Sequence, residues 1–233
     1  MPHLEIDEES KGLLRRIVER QAYRQMMLEK IRGHGLKFVP EIDAQILLAQ
    51  DIVHALRVMQ QIELYYAQIG GSDLVLAVRD KMERIPYPGS RLELSICLAL
   101  CDRAERVVAE SYVESSSSEF AAIALSILAM DRTSTRASEE LFKGFCSEPG
   151  NHHAAQQLFQ RWLSITIQAM GRPGTQGDER AAALGLRRQR CGASLRQYLE
   201  ELKPLIASCG LQMPSAAAMG VDLPRELAGF AGG

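Results

Sequence analysis

Residues 46–71, ILLAQDIVHALRVMQQIELYYAQIGG, decide how the chain is read. The stretch is helical in composition, rich in Leu, Ala and Gln, and it stops at a Gly-Gly pair that ends helices. Inside it Asp51 and His54 stand three residues apart and share one face of the helix. In four-helix proteins that hold two metals, inward carboxylates and Glu-x-x-His pairs supply the ligands, and Asp51-Ile52-Val53-His54 is a shortened form of that pair. The question for the remaining sequence is whether other helices bring the ligands that would complete a di-metal set.

Working outward, helix patterns recur and strand patterns do not. The class predicted is all-α. A first helix is expected over about 8–33, ending at the Gly33-His34-Gly35 breaker, and a second runs from Pro40 to Gly70-Gly71. A short helix near 74–84 leads into the Ile85-Pro86-Tyr87-Pro88-Gly89 turn, a crossover between two helical hairpins. The third helix is expected over about 91–113. The serines Ser115 to Ser118 then form a break and N-cap for a fourth helix reaching Phe145. Fifth and sixth helices follow over about 151–170 and 178–208, and a Gly, Ala and Pro-rich tail begins at Met213. Two hairpins joined by a crossover predict a ferritin-like four-helix bundle with additional C-terminal helices, a domain over 1–212 and an extended tail over 213–233. The tail offers Val221, Leu223, Leu227 and Phe230 for docking.

Composition narrows the function classes. A formal charge of −2 over 233 residues, with acids and bases interspersed, gives no field for nucleic acid, and the Arg187, Arg188, Arg190 run reads as a solvated helix face. Five cysteines, Cys97, Cys101, Cys146, Cys191 and Cys209, lack C-x-x-C spacing and are expected reduced and buried. The start, MPHLEIDEES, is acidic where a secretory signal would be basic and then apolar, and the apolar run from Phe120 to Met130 is too short to span a bilayer. A cytoplasmic protein without a membrane anchor is the expectation.

The candidate metal ligands are Asp51 and His54 on the second helix, Asp102 on the third with Glu105 a turn further, Asp131 on the fourth, and Glu29 or Glu19 on the first. Carboxylate oxygens and imidazoles suit iron that must be oxidised. Three residues after Asp131, where a second histidine would stand, the chain has Ser134, a poor iron ligand. Each residue also has an ordinary reading. Asp51 and His54 can form a polar patch with His54 on a carbonyl, Asp102 can pair with Arg103 or Arg106, and Asp131-Arg132-Thr133-Ser134-Thr135 is itself a helix-break sequence. His152 and His153 at the start of the fifth helix suit solvation, and His34 lies between glycines.

Four segments, QAYRQMMLEKI at 21–31, ILLAQDIVHAL at 46–56, FQRWLSITIQAMGRP at 159–173 and LRQYLEELKPLIASCGLQMP at 195–214, carry a resemblance. Together they make the chain, from about Gln21 to Pro214, resemble the ferritin-like family of the catalytic subunit of phenylacetyl-CoA epoxidase, a di-iron monooxygenase of phenylacetate catabolism. By position the resemblance puts the family's Glu-x-x-His on Asp51 and His54, its helix-three aspartate on Asp102, and the glutamate of its second pair on Asp131. Its second histidine falls on Ser134 and its helix-one glutamate near Lys37 or Phe38, or on Glu29 with a gap. What the resemblance implies is a di-iron monooxygenase that epoxidises or hydroxylates an acyl-CoA or other organic substrate, with electrons from a separate reductase. The alternative it implies is a metal-poor, non-catalytic structural subunit of such a complex, with no cofactor. Either form is expected in a homo- or hetero-oligomer.

Overall fold

The computed structural model describes residues 8–223 and Leu227. Among these residues there are helices and no strands: α1 (Glu8–Gly35), α2 (Ile42–Gln68), α3 (Leu74–Met82), α4 (Arg91–Glu110), α5 (Ser118–Leu128), α6 (Thr133–Ser147), α7 (His152–Met170), α8 (Gln176–Ala183), α9 (Cys191–Ser208) and α10 (Ala216–Met219). None of the helices is long and apolar enough to cross a membrane, among the described residues.

α4 is the centre of the molecule. Ser90 opens it by accepting a hydrogen bond from the Glu93 backbone N–H at 3.1 Å, and the Glu93 carboxylate reaches back to the Gly89 N–H at 2.7 Å, a reciprocal cap read directly from Ser-x-x-Glu. Beyond the cap the helix is apolar almost all round: Ile96, Cys97, Leu98, Ala99, Leu100 and Val107 are all buried. Such a helix must be covered on every side. α1, α5, α6, α7 and α9 pack around it, and the large side chains Phe120, Phe142, Phe159, Trp162 and Tyr198 are fully buried in that core. α2 lies one layer out, against α1, α5 and α6.

Three boundaries differ from expectation. α1 continues through Gly33-His34-Gly35, because Gly35 keeps a helical backbone and lets α1 approach α4: a Cβ there would stand 2.6 Å from Leu94 Cδ1. The fourth helix is two helices, since the exposed Asp131 carboxylate accepts from both the backbone N–H and the hydroxyl of Thr133 and restarts the chain as α6. The sixth is divided into α8 and α9 by Gly185, whose φ of +68° is left-handed. Part of the tail is not extended: α10 lies on α7, where Gln160 and Ser164 donate to the carbonyls of Ala218 and Met219. Leu227 is buried, Val221 and Leu223 are partly buried, and Phe230 lies outside the described residues.

Candidate functional site

The inward acids meet an arginine. On α1, residues Leu14, Val18, Gln21, Gln25 and Leu28 recur at steps of four and three, and the next step on the same face is Arg32. α2 brings Asp51 to that guanidinium, α4 brings Asp102, and the first turn of α6 brings Ser134 and Thr135. Exposure is 1% for Arg32, 0% for Asp102 and 5% for Asp51, so these charges answer to one another and not to water. Arg32 Nη2 donates to Asp102 Oδ1, and its Nε lies 3.7 Å from Asp51 Oδ2. That Nε has no hydrogen-bond partner among the described residues. Ser134 donates its hydroxyl to Asp51, and Thr135 donates to Asp102 Oδ2 at 2.6 Å. A second arginine, Arg132, donates to the Asp102 backbone carbonyl at 3.0 Å. Burial lowers its pKa, and the nearby Asp102 charge opposes that shift.

Asp51 is a perturbed acid. Burial pushes its carboxyl above the ordinary aspartate range, while the Ser134 hydroxyl and the Arg32 charge pull it back. It sits at the edge of a groove of about 520 Å³ that opens beside α2, lined by Ile46, Val53, His54, Met130 and Ser134 among others.

Of the five residues expected to bind metal, Asp51 and Asp102 are brought together and the other three are not. His54 Nε2 lies 2.9 Å from the Ser126 carbonyl of α5, and since a carbonyl only accepts, that nitrogen carries the proton. Three residues turn a helix by about 300°, which places His54 some 60° round α2 from Asp51. Asp131 is exposed, and Thr133 and the neighbouring Arg136 hold its carboxyl below the usual range. Glu29 is half-buried and forms no hydrogen bond or ion pair among the described residues. Glu19 accepts from the Tyr66 hydroxyl at 2.8 Å. Among the described residues no three His, Cys, Asp or Glu side chains converge as a metal-binding group. The residues present do not fit a di-iron centre: two carboxylates face each other across a guanidinium, a cation that already supplies the positive charge a metal would bring.

A second buried cluster lies along the same seam. Glu105, the acid a turn beyond Asp102, accepts from Arg24 Nε at 2.8 Å, from Gln25 at 2.5 Å and from Gln21. Arg24 also donates to the Gln21 side-chain oxygen and to the Ala169 carbonyl on α7. The remaining candidates have ordinary roles. His34 packs on Tyr87 with ring centroids 4.7 Å apart, His152 bonds the Gly210 carbonyl at 2.8 Å, and His153 pairs with Gln157. Arg187, expected on a solvated face, is buried and bonds Asp178 Oδ1 at 2.8 Å, whereas Arg188 and Arg190 are exposed. All five cysteines are free thiols, with Cys146 partly exposed and the others buried.

A scan of protein-family models gives no match to the sequence, and neither does a comparison with curated proteins.

Proposed function

We propose that this chain is a metal-poor, non-catalytic helical subunit, built on a ferritin-like bundle related to the phenylacetyl-CoA epoxidase family and retained for packing and docking beside an oxygenase. Arg32 between Asp51 and Asp102 is the observation that carries the reading. In a di-metal bundle, carboxylates from facing helices point inward because cations sit among them. Here the inward acids persist on α2 and α4, and the cation is a side chain of α1. Ser134 supports the same reading. At the position where the resemblance puts a second histidine, it spends its proton on Asp51, and a hydroxyl in that role offers little to iron.

The catalytic alternative, with iron activating dioxygen against an acyl-CoA or other organic substrate and a reductase supplying electrons, needs the carboxylates free to ligate. Displacing Arg32 from both would leave a buried guanidinium without a counter-charge, at a cost of several kcal/mol before any metal is bound.

Metal analysis of protein produced with iron in excess tests the proposal, run beside a His54→Ala variant. The expected result is background iron in both. Two irons per chain in the wild type, lost on His54→Ala, would establish the di-iron reading instead.

A further inference from the structure

α2 has an outer face that nothing among the described residues covers. Ile42, Ile46, Val53 and Leu56 are 46–72% exposed, and with Ala49, also exposed, they recur at alternating steps of four and three residues. That is the 3.5-residue repeat by which one helix packs along another. From Ile42 to Leu56 the stripe runs about 21 Å, at 1.5 Å per residue. Apolar side chains in a continuous line on a surface mark an interaction site.

The flank of the stripe says what covers it. Asp43, Gln50 and Arg57 follow one another at intervals of seven residues, each one position after a stripe residue, so all three line the same edge. All three are exposed, and Asp43 and Arg57 form no ion pair among the described residues. A two-fold axis passing by Gln50 turns this edge onto itself. Gln50 then meets Gln50 of the second copy, and Asp43 of each copy meets Arg57 of the other. A patch that pairs residue i with j and j with i is what an isologous interface requires. A parallel copy would set Asp43 and Arg57 against the opposite edge, Gln45, Ile52 and Met59, where there is no charge.

We infer that α2 is a homodimer interface, in which two copies pack their α2 helices antiparallel across Gln50, with Ile46 against Leu56 and Ala49 against Val53. Ala49 gives the β-branched Val53 room at the centre. The groove of about 520 Å³ bordered by Ile46 and Val53 receives the end of the other copy's Leu56. A single helix pair, about 40 Å by 10 Å, is smaller than the ~800 Å² per partner of a standard stable interface, so the groove and the exposed Leu125 on the neighbouring α5 belong to the contact. The inference stands on the outer face of α2 and not on the Arg32 cluster, so either can fail alone.

Sedimentation equilibrium of the full chain from about 1 to 200 µM tests it, with a dissociation constant expected in roughly the micromolar range. Val53→Glu, at an exposed position where the fold is kept, is expected to raise that constant roughly a hundredfold, with Leu56→Gln as a milder second variant. Asp43→Arg or Arg57→Asp alone sets like charges together and weakens the dimer about tenfold, and the double exchange restores it. A wild type that stays monomeric to 200 µM overturns the inference and leaves the stripe to a different partner. A dimer indifferent to Val53→Glu overturns it too, and single exchanges that the double does not rescue overturn the antiparallel register.

Discussion

Two buried charge clusters lie a turn apart along the α1–α4 seam, and they are solved differently. At Glu105 one carboxylate is met by one guanidinium and two amides, all from α1, and its acceptor positions are filled by Arg24, Gln21 and Gln25. At Asp102 the stoichiometry is inverted. One fully buried guanidinium serves two carboxylates from different helices, hydroxyls of α6 make up part of the deficit, and one of its nitrogens has no hydrogen bond among the described residues. The Glu105 cluster joins α1 to α4 and touches α7 through the Ala169 carbonyl, whereas the Arg32 cluster fixes α1, α2, α4 and α6 against one another. A cluster that ties four helices through a single cation concentrates its dependence on that residue.

The largest expected effect therefore follows from removing the shared cation. Arg32→Met leaves Asp51 and Asp102 buried with only the Arg132 guanidinium nearby, on the Asp102 backbone carbonyl, and should cost about 3–5 kcal/mol of folding stability, read from the shift of the urea midpoint at pH 7. Adding Asp51→Asn and Asp102→Asn to the same chain removes the stranded charges and should recover much of that loss. If Arg32→Met cost less than about 1 kcal/mol, the cluster would not be a fold determinant and the contrast with Glu105 would collapse.

Arg24→Met is the matched experiment at the other cluster. Glu105 keeps two amide donors when the guanidinium goes, so the loss should sit at the lower end of what removing one partner of a buried ion pair costs, about 3 kcal/mol. Equal losses at Arg24 and Arg32 would show that the number of carboxylates per arginine is not what separates the two sites.

The difference also explains what could be read from the residues alone. Asp51 and Asp102 were legible as inward acids because apolar neighbours frame them, Leu48, Ala55 and Val58 around one and Leu98, Cys101 and Ala104 around the other. The start of α5 was legible through the cap at Ser117, within the serine run 115–118. What the residues alone did not show was the cation between the two acids. Arg32 continues the step-of-four-and-three line through Gln21, Gln25 and Leu28, a signal that was present, but an arginine near a helix end suits a solvated C-terminus equally well, and only packing distinguishes the two. Asp131 failed for a local reason: a carboxylate that can bond the N–H two residues on takes that bond, and the predicted fourth helix breaks there.

The smallest expected effect concerns pH and separates the two acids of the Arg32 cluster. Burial raises the Asp51 pKa in the folded chain above its unfolded value, against the pull of Ser134 and Arg32. The folded state then binds that proton more tightly, so between the two values ν_U is smaller than ν_N and stability falls as pH rises through the window. Asp51 ionised is thus a net liability at neutral pH, fully present above its folded pKa and relieved as pH drops toward the unfolded value. Asp51→Asn holds the position permanently neutral, and its stability relative to the wild type should be more favourable at pH 7 than at pH 4, measured as the difference in urea midpoints at the two values. The opposite slope, a variant penalised most at pH 7, would mean that the attraction of Arg32 outweighs burial at Asp51, and the cluster would then be two strong ion pairs sharing one guanidinium rather than one strong pair with a strained second acid.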